Sequence, residues 1–205
     1  MSGHLDSLIA DISFDGIVDT SEQARKAASR DASIFEVVPA GIIAPRNKAA
    51  IQATVRWANE EAERGNPVTL AARVGGTCMS GGSLTQGYVL DLKRFYNYVG
   101  EVDTEAQTIT TQTGAMHLAV ETAATEAGLL FAPYTSSRDI CGIGGMLGNN
   151  ASGEQSIKYG PTSANVNSVK VILSDGNEYE FGPLSRKEVA AKKQQSNYEG
   201  EIYRR

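Results

Sequence analysis

Two glycine-dense stretches constrain this chain more than anything else in it. The first is Arg73-Val-Gly-Gly-Thr-Cys-Met-Ser-Gly-Gly82; the second runs from Tyr134 to Gly153 and contains Cys141-Gly-Ile-Gly-Gly-Met-Leu-Gly-Asn149. Glycine supplies 21 of 205 residues, about a tenth of the chain against a usual share of roughly 7%, and the excess is clustered. A residue without Cβ lets the backbone take positive φ and lets N–H groups close on a ligand, as a phosphate-binding loop must. A mere linker would not also carry Ile140, Ile143, Met146 and Leu147 at near-helical spacing. The second stretch is therefore predicted to be a short glycine-interrupted helix packed closely against another element.

The surroundings give an α+β pattern. Periodicity is weak over the first forty residues apart from a helix expected over 21–29, and the globular signal begins at the short apolar run Gly41–Ala44. Asn47 is the expected N-cap of an amphipathic helix carrying Ile51, Val55 and Ala58, which should stop by Gly65 before Asn66-Pro67. A strand over 68–71 feeds the first glycine loop, and strands follow over 88–92, 98–102 and 108–113. A helix over 115–127 closed by Gly128, a hairpin around Ser174-Asp-Gly-Asn177 and a helical tail from Lys187 complete the pattern. The expected organisation is an N-terminal segment, 1–35, a small β-α-β unit, 36–85, and a second sheet with helices, 86–205.

Spacing excludes two common nucleotide sites. Gly76 and Gly81 are spaced as in a P-loop, but Gly82-Ser83 stands where that motif needs Lys followed by Ser or Thr. Without the lysine no cation meets the terminal phosphates. Gly142-Ile-Gly144 opens like a dinucleotide fingerprint, yet Leu147 occupies the third glycine position.

Composition narrows the class further. A net charge of −5 argues against a nucleic-acid surface, and the basic residues near the C-terminus read as a solvated helical face. No apolar run approaches the roughly 20 residues of a membrane-spanning helix, and the acidic N-terminus does not resemble a signal peptide, so a cytoplasmic protein is expected, with a peripheral membrane position left open for the full-length protein. Cys78 and Cys141 are too few for a disulfide framework. No His/Asp/Glu constellation has metal-ligand spacing.

In order, Pro39–Pro45, Arg73–Gly82, Val89–Leu92, Gly114 before a helix, Ile143–Met146 with Asn150–Gly153, Tyr159-Gly160 and Val171–Gly176 resemble a known series. It is that of the FAD-linked oxidases and dehydrogenases of the vanillyl-alcohol-oxidase, or p-cresol-methylhydroxylase, type, over residues 31–182. The resemblance implies a two-part α+β FAD domain. The backbone of Val74, Gly75, Gly76, Thr77 and Cys78, with Ser80 and Gly81, would contact phosphate and ribose. Pro133, Ser136, Ser137, Gly144, Gly145, Asn149, Ala151 and Gly153 would line flavin and pyrophosphate, and Val171 would meet the adenine through its backbone. Arg73, which opens the loop, is expected to shape the site; Arg138 and Lys158 are expected at the solvated surface.

Covalent members of this family carry a histidine where Thr77 stands here, and threonine cannot make that bond, so non-covalent FAD is expected. His4 is expected in a mobile terminus and His117 at a helix surface. Within the family the chain is most similar to the D-lactate, glycolate and D-2-hydroxyglutarate dehydrogenases. There the substrate is a small 2-hydroxy acid, the electron acceptor is open, and the base and carboxylate-binding groups lie in a C-terminal domain. The chain is expected to lack that domain and to be an excised or truncated portion that exposes an apolar face near the flavin, and so to self-associate or to retain flavin poorly. A flavin- or nucleotide-holding module or subunit that acts with a partner is an alternative, as is a reductase of the UDP-N-acetylenolpyruvoylglucosamine type.

Overall fold

A computed structural model describes residues 5–205; the expectation for His4 falls outside them. The first sheet has the order β1-β2-β4-β3, from β1 (Gly16–Asp19), β2 (Gly41–Pro45), β3 (Leu70–Arg73) and β4 (Tyr88–Asp91). β2 and β3 both run parallel to β4, which lies between them, and β1 adds antiparallel to β2. β2 is buried at every residue, as befits a strand covered on both faces.

The short helix α1 (Leu5–Ala10) and the 16-residue α3 (Lys48–Glu63) cover the sheet. Asn47 caps α3 as expected, its side chain accepting from the Ala50 amide at 2.9 Å, an arrangement worth about 1 kcal/mol over alanine. α3 presents Ile51, Ala53, Trp57 and Ala58 to Ile43, Tyr88 and Leu90, and Trp57 meets Tyr88 edge-on at 5.5 Å. Gly65, at φ +85°, ends the helical segment where expected.

Two sequence expectations need correction. The weakly periodic N-terminus is part of this sheet and core: β1 pairs with β2 over Gly16–Asp19, and Leu5 and Leu8 are buried beside Trp57. Short segments whose burial comes from distant partners carry too few residues for a period to show. The strand after the glycine loop, β4, is central in the first sheet and does not begin a second one.

The remainder holds two separate two-stranded ladders. β5 (Val99–Asp103) pairs with β6 (Thr108–Thr111), and β7 (Val169–Ile172) with β8 (Glu178–Phe181). α2 (Glu22–Ala27), α4 (His117–Glu126), α5 (Ile143–Gly148), α6 (Ser156–Tyr159), a 3-10 turn at Thr162–Asn165, α7 (Arg186–Lys193) and α8 (Tyr198–Arg204) complete the chain. The β7–β8 hairpin docks on α3: Gln52 Nε2 donates to the Gly176 carbonyl at 3.0 Å, and Lys48 pairs with Glu178 at 3.1 Å.

Candidate functional site: a groove between two glycine segments

Parallel neighbours cannot be joined by a tight turn, and residues 74–87 make the crossing from β3 to β4 without a helix. The strand hydrogen bonds end at Arg73. Beyond it, the amides of Val74, Gly75, Gly76, Thr77 and Cys78 donate to no protein acceptor among the described residues. Unpaired main-chain N–H groups in succession make a concavity for an anion, because each leaves a partial positive charge to be satisfied.

The loop keeps its shape through its own arginine. Arg73 Nη2 donates to the Arg30 carbonyl at 2.7 Å and Nη1 reaches Ser83 Oγ at 3.4 Å. Gly76 takes φ +65°, and a Cβ there would stand 2.3 Å from Arg73 Nη2. The N-terminal segment straps the loop from outside: the Ala32 amide donates to the Gly76 carbonyl at 3.1 Å, and Ser83 Oγ donates to Asp31 Oδ2 at 3.1 Å. Burial alone would raise the Asp31 pKa; hydrogen bonds from Ser33 and Ser83 and the charge of Arg73 outweigh it and lower it.

The second stretch packs directly on the first. A Cβ at Gly75 would stand 2.2 Å from the Ile140 carbonyl oxygen, and one at Gly142 would stand 2.1 Å from Val74 Cγ1. From there the chain enters α5, whose first amides are held from below: Ile143 N donates to the Ala115 carbonyl at 2.9 Å and Gly144 N to that of Thr113 at 2.8 Å. Gly145 and Gly148 lie on the open side, where a Cβ would meet nothing within 4 Å.

The two segments enclose a groove of about 360 Å³. Of the predicted site residues, Arg73, Val74, Gly75, Gly76, Thr77, Cys78, Gly144, Gly145 and Asn149 line it. Ser80, Gly81, Pro133, Ser136, Ser137, Ala151, Gly153 and Val171 do not. Ser80 and Gly81 lie farther along the loop, with Phe35 against Gly81. Pro133 to Ser137 lead into the second stretch, where Gly153 packs on Tyr134, and Val171 lies in β7. Gly142, Gly148, Leu92 and Thr113 also line the groove. The first two belong to a segment already singled out and Leu92 ends the Val89–Leu92 motif, whereas no local signal marks Thr113.

Arg138 and Lys158 stay outside the groove lining; each rests on an aromatic neighbour, Arg138 over Tyr134 and Lys158 over Tyr159, both at 4.9 Å. The expected surface position of His117 is wrong: its ring is wholly buried, edge-on to Phe131. Helix position fixes only which face a residue shares, and here segment 131–133 covers that face.

Cys78 is the reactive-looking side chain of the groove. The Ser80 hydroxyl beside it and the Gly82 N–H, which donates to Sγ at 3.3 Å, lower its thiol pKa, while burial raises that of Cys141. Among the described residues no group of three or more His, Cys, Asp or Glu could hold a metal ion, and no helix is long and apolar enough to cross a membrane.

Residues 39–182 match the family model described as FAD binding domain. The chain is similar to D-2-hydroxyglutarate dehydrogenase of Pantoea ananatis, 30% identical over 190 residues, which are 93% of this chain and 18% of that protein. It is also similar to glycolate oxidase subunit GlcD of Bacillus subtilis, 32% identical over 174 residues, or 84% of this chain and 36% of that subunit. The crystal structure of 6-hydroxy-D-nicotine oxidase from Arthrobacter nicotinovorans superposes with a TM-score of 0.73 at 21% identity, covering 88% of this chain and 39% of that one. The chain thus spans well under half the length of these relatives.

Proposed function

Because the chain belongs to the FAD binding domain family and has the α+β fold of the p-cresol-methylhydroxylase type, we propose that the groove between its glycine segments holds the FAD diphosphate. On this reading the chain forms the flavin-holding part of a dehydrogenase for a small D-2-hydroxy acid. The observation that carries the reading is the run of unpaired amides from Val74 to Cys78, facing a second segment that has no side chains at Gly144 and Gly145.

These amides would take the phosphate oxygens as hydrogen-bond acceptors, and Arg73 beneath them would add positive potential without leaving its place. Gly145 and Gly148 would admit the cofactor because nothing projects from them. Pro133, Ser136, Ser137, Ala151 and Gly153 would extend the lining toward the flavin, and Ser80 and Gly81 toward the ribose. Val171 would meet the adenine through its backbone, and a hollow of about 320 Å³ lined in part by Val166, Val169 and Phe181 offers apolar room nearby in the same hairpin.

FAD held there would supply the acceptor for a hydride from a 2-hydroxy acid. The chain's own part is to bind, orient and shield; the base and the cation for the substrate carboxylate are assigned to sequence outside this segment. Division of the chain at residues 35 and 85 belongs to the same proposal only in modified form. The unit that carries the first loop is better drawn through Leu92, so that β1 and β4 stay within it.

Thr77 leaves no histidine at the position of covalent attachment, so FAD should be held non-covalently. The test is the absorbance spectrum of the FAD-loaded protein followed by acid precipitation. Flavin released into the supernatant as intact FAD is expected; flavin retained on the polypeptide would overturn the non-covalent assignment. A protein that takes up no FAD at all would overturn the site.

A further inference from the structure

His117 opens α4 with no exposed surface, and its ring meets Phe131 edge-on at 5.2 Å between centroids. Its Nε2 lies 3.1 Å from the Pro133 carbonyl oxygen. A carbonyl can only accept, so Nε2 is the donor and carries a ring proton. Nδ1 is buried and has no hydrogen-bond partner among the described residues; Glu121 Oε2, at 4.0 Å, lies beyond hydrogen-bond reach.

A buried ring with half its hydrogen-bonding capacity unmet is a poor choice for filling space, since an apolar side chain would fill it without that penalty. The arrangement makes sense if the other half is needed. The same residue's amide donates to the Cys141 carbonyl at 3.0 Å. One residue therefore ties both ends of segment 133–141, the ring at Pro133 and the main chain at Cys141. Between the ties lie Ser136 and Ser137, and also Ile140, whose carbonyl oxygen packs against Gly75 in the floor of the groove.

We propose that His117 is a positioning residue of the cofactor groove: its imidazole and amide clamp segment 133–141 and so fix where the Ile140 carbonyl presses on the first glycine loop. The proposal rests on the reading of that groove as the FAD site. It makes the Nε2 hydrogen bond, rather than the ring's bulk, the feature that matters. An amide at the Nε2 position should replace it, and an amide one bond shorter should not.

The experiment compares His117→Gln, whose terminal nitrogen can reach the Pro133 carbonyl, with His117→Asn, whose nitrogen falls short. FAD is titrated into each variant and the wild type by flavin fluorescence, and amide hydrogen exchange is followed without flavin. The glutamine variant should bind FAD within about twofold of wild type and keep its exchange over residues 134–141. The asparagine variant should bind at least tenfold more weakly and exchange faster over that segment, with strands β2 to β4 unchanged.

A packing role alone predicts that both variants lose stability alike while FAD affinity stays put, and that result would overturn the clamp. Unchanged exchange over 134–141 in the asparagine variant would do the same. If the asparagine variant does not fold, the glutamine variant decides: protection of 134–141 equal to wild type supports the clamp, and faster exchange refutes it. Wild-type protein that ignores FAD would sink the groove assignment instead, and the exchange comparison would still test the clamp.

Discussion

Glycines that look alike in the sequence do different work, and the distinction can be measured. Gly75 is required by close approach, since a methyl there would overlap the Ile140 carbonyl at 2.2 Å. Gly75→Ala should cost about 1–3 kcal/mol in stability, as overpacking against backbone usually does. Gly145 faces open space in the groove. Gly145→Ala should stabilise the flavin-free protein by about 0.5–1 kcal/mol through helix propensity, yet weaken FAD binding at least tenfold, about 1.4 kcal/mol. Thermal melts with and without FAD check both; a Gly145→Ala protein that binds FAD as wild type would show that the cofactor does not pass this residue. Cys78 and Cys141 separate in the same way. Iodoacetamide should label Cys78 first, because its thiol pKa is lowered whereas Cys141 is buried with a raised one, and FAD should slow that labelling. Peptide mass mapping reads both effects. The glycine density pointed to a backbone-lined groove; which glycine is required by packing and which faces open space depends on neighbours sixty or more positions away, and Gly75 against Ile140 is the example.

Among the elements, those with local signals were legible. Asn47 and Gly65 bracket α3 as the capping pattern predicts, Gly128 follows α4 at φ +75°, and Val169–Ile172 pairs with Glu178–Phe181 around the expected turn. The N-terminal strap was not legible, because Asp31 and Ser83 lie 52 residues apart and neither belongs to a periodic pattern. This strap predicts a pH dependence. The folded-state pKa of Asp31 is lowered from 3.8, so its contribution is fully present above the unfolded value and is lost as pH falls through the folded one. Asp31→Asn should lower stability by about 1 kcal/mol at most at neutral pH, given solvent screening. That gap should stay constant above about pH 5 and close in acid. Melts of the two proteins across pH check it; a gap that persists in strong acid would mean that Asp31 acts through shape and not through charge.

For the whole molecule, the fold class and the family were readable because an ordered series of short motifs survives where single motifs are weak, as from Val89–Leu92 through Val171–Gly176. The layout was less readable: β4 inserts between β2 and β3, and β1 joins from the far N-terminus, by pairings that no window of sequence contains. This topology aims both glycine segments at one groove, and every functional conclusion follows from that convergence. The most direct test is to add FAD to isotope-labelled protein and follow the main-chain amide resonances. The largest shifts are predicted at 74–78 and 144–149, saturating at one FAD per chain. Saturation with shifts confined to other segments, or no saturable shifts, would contradict the account.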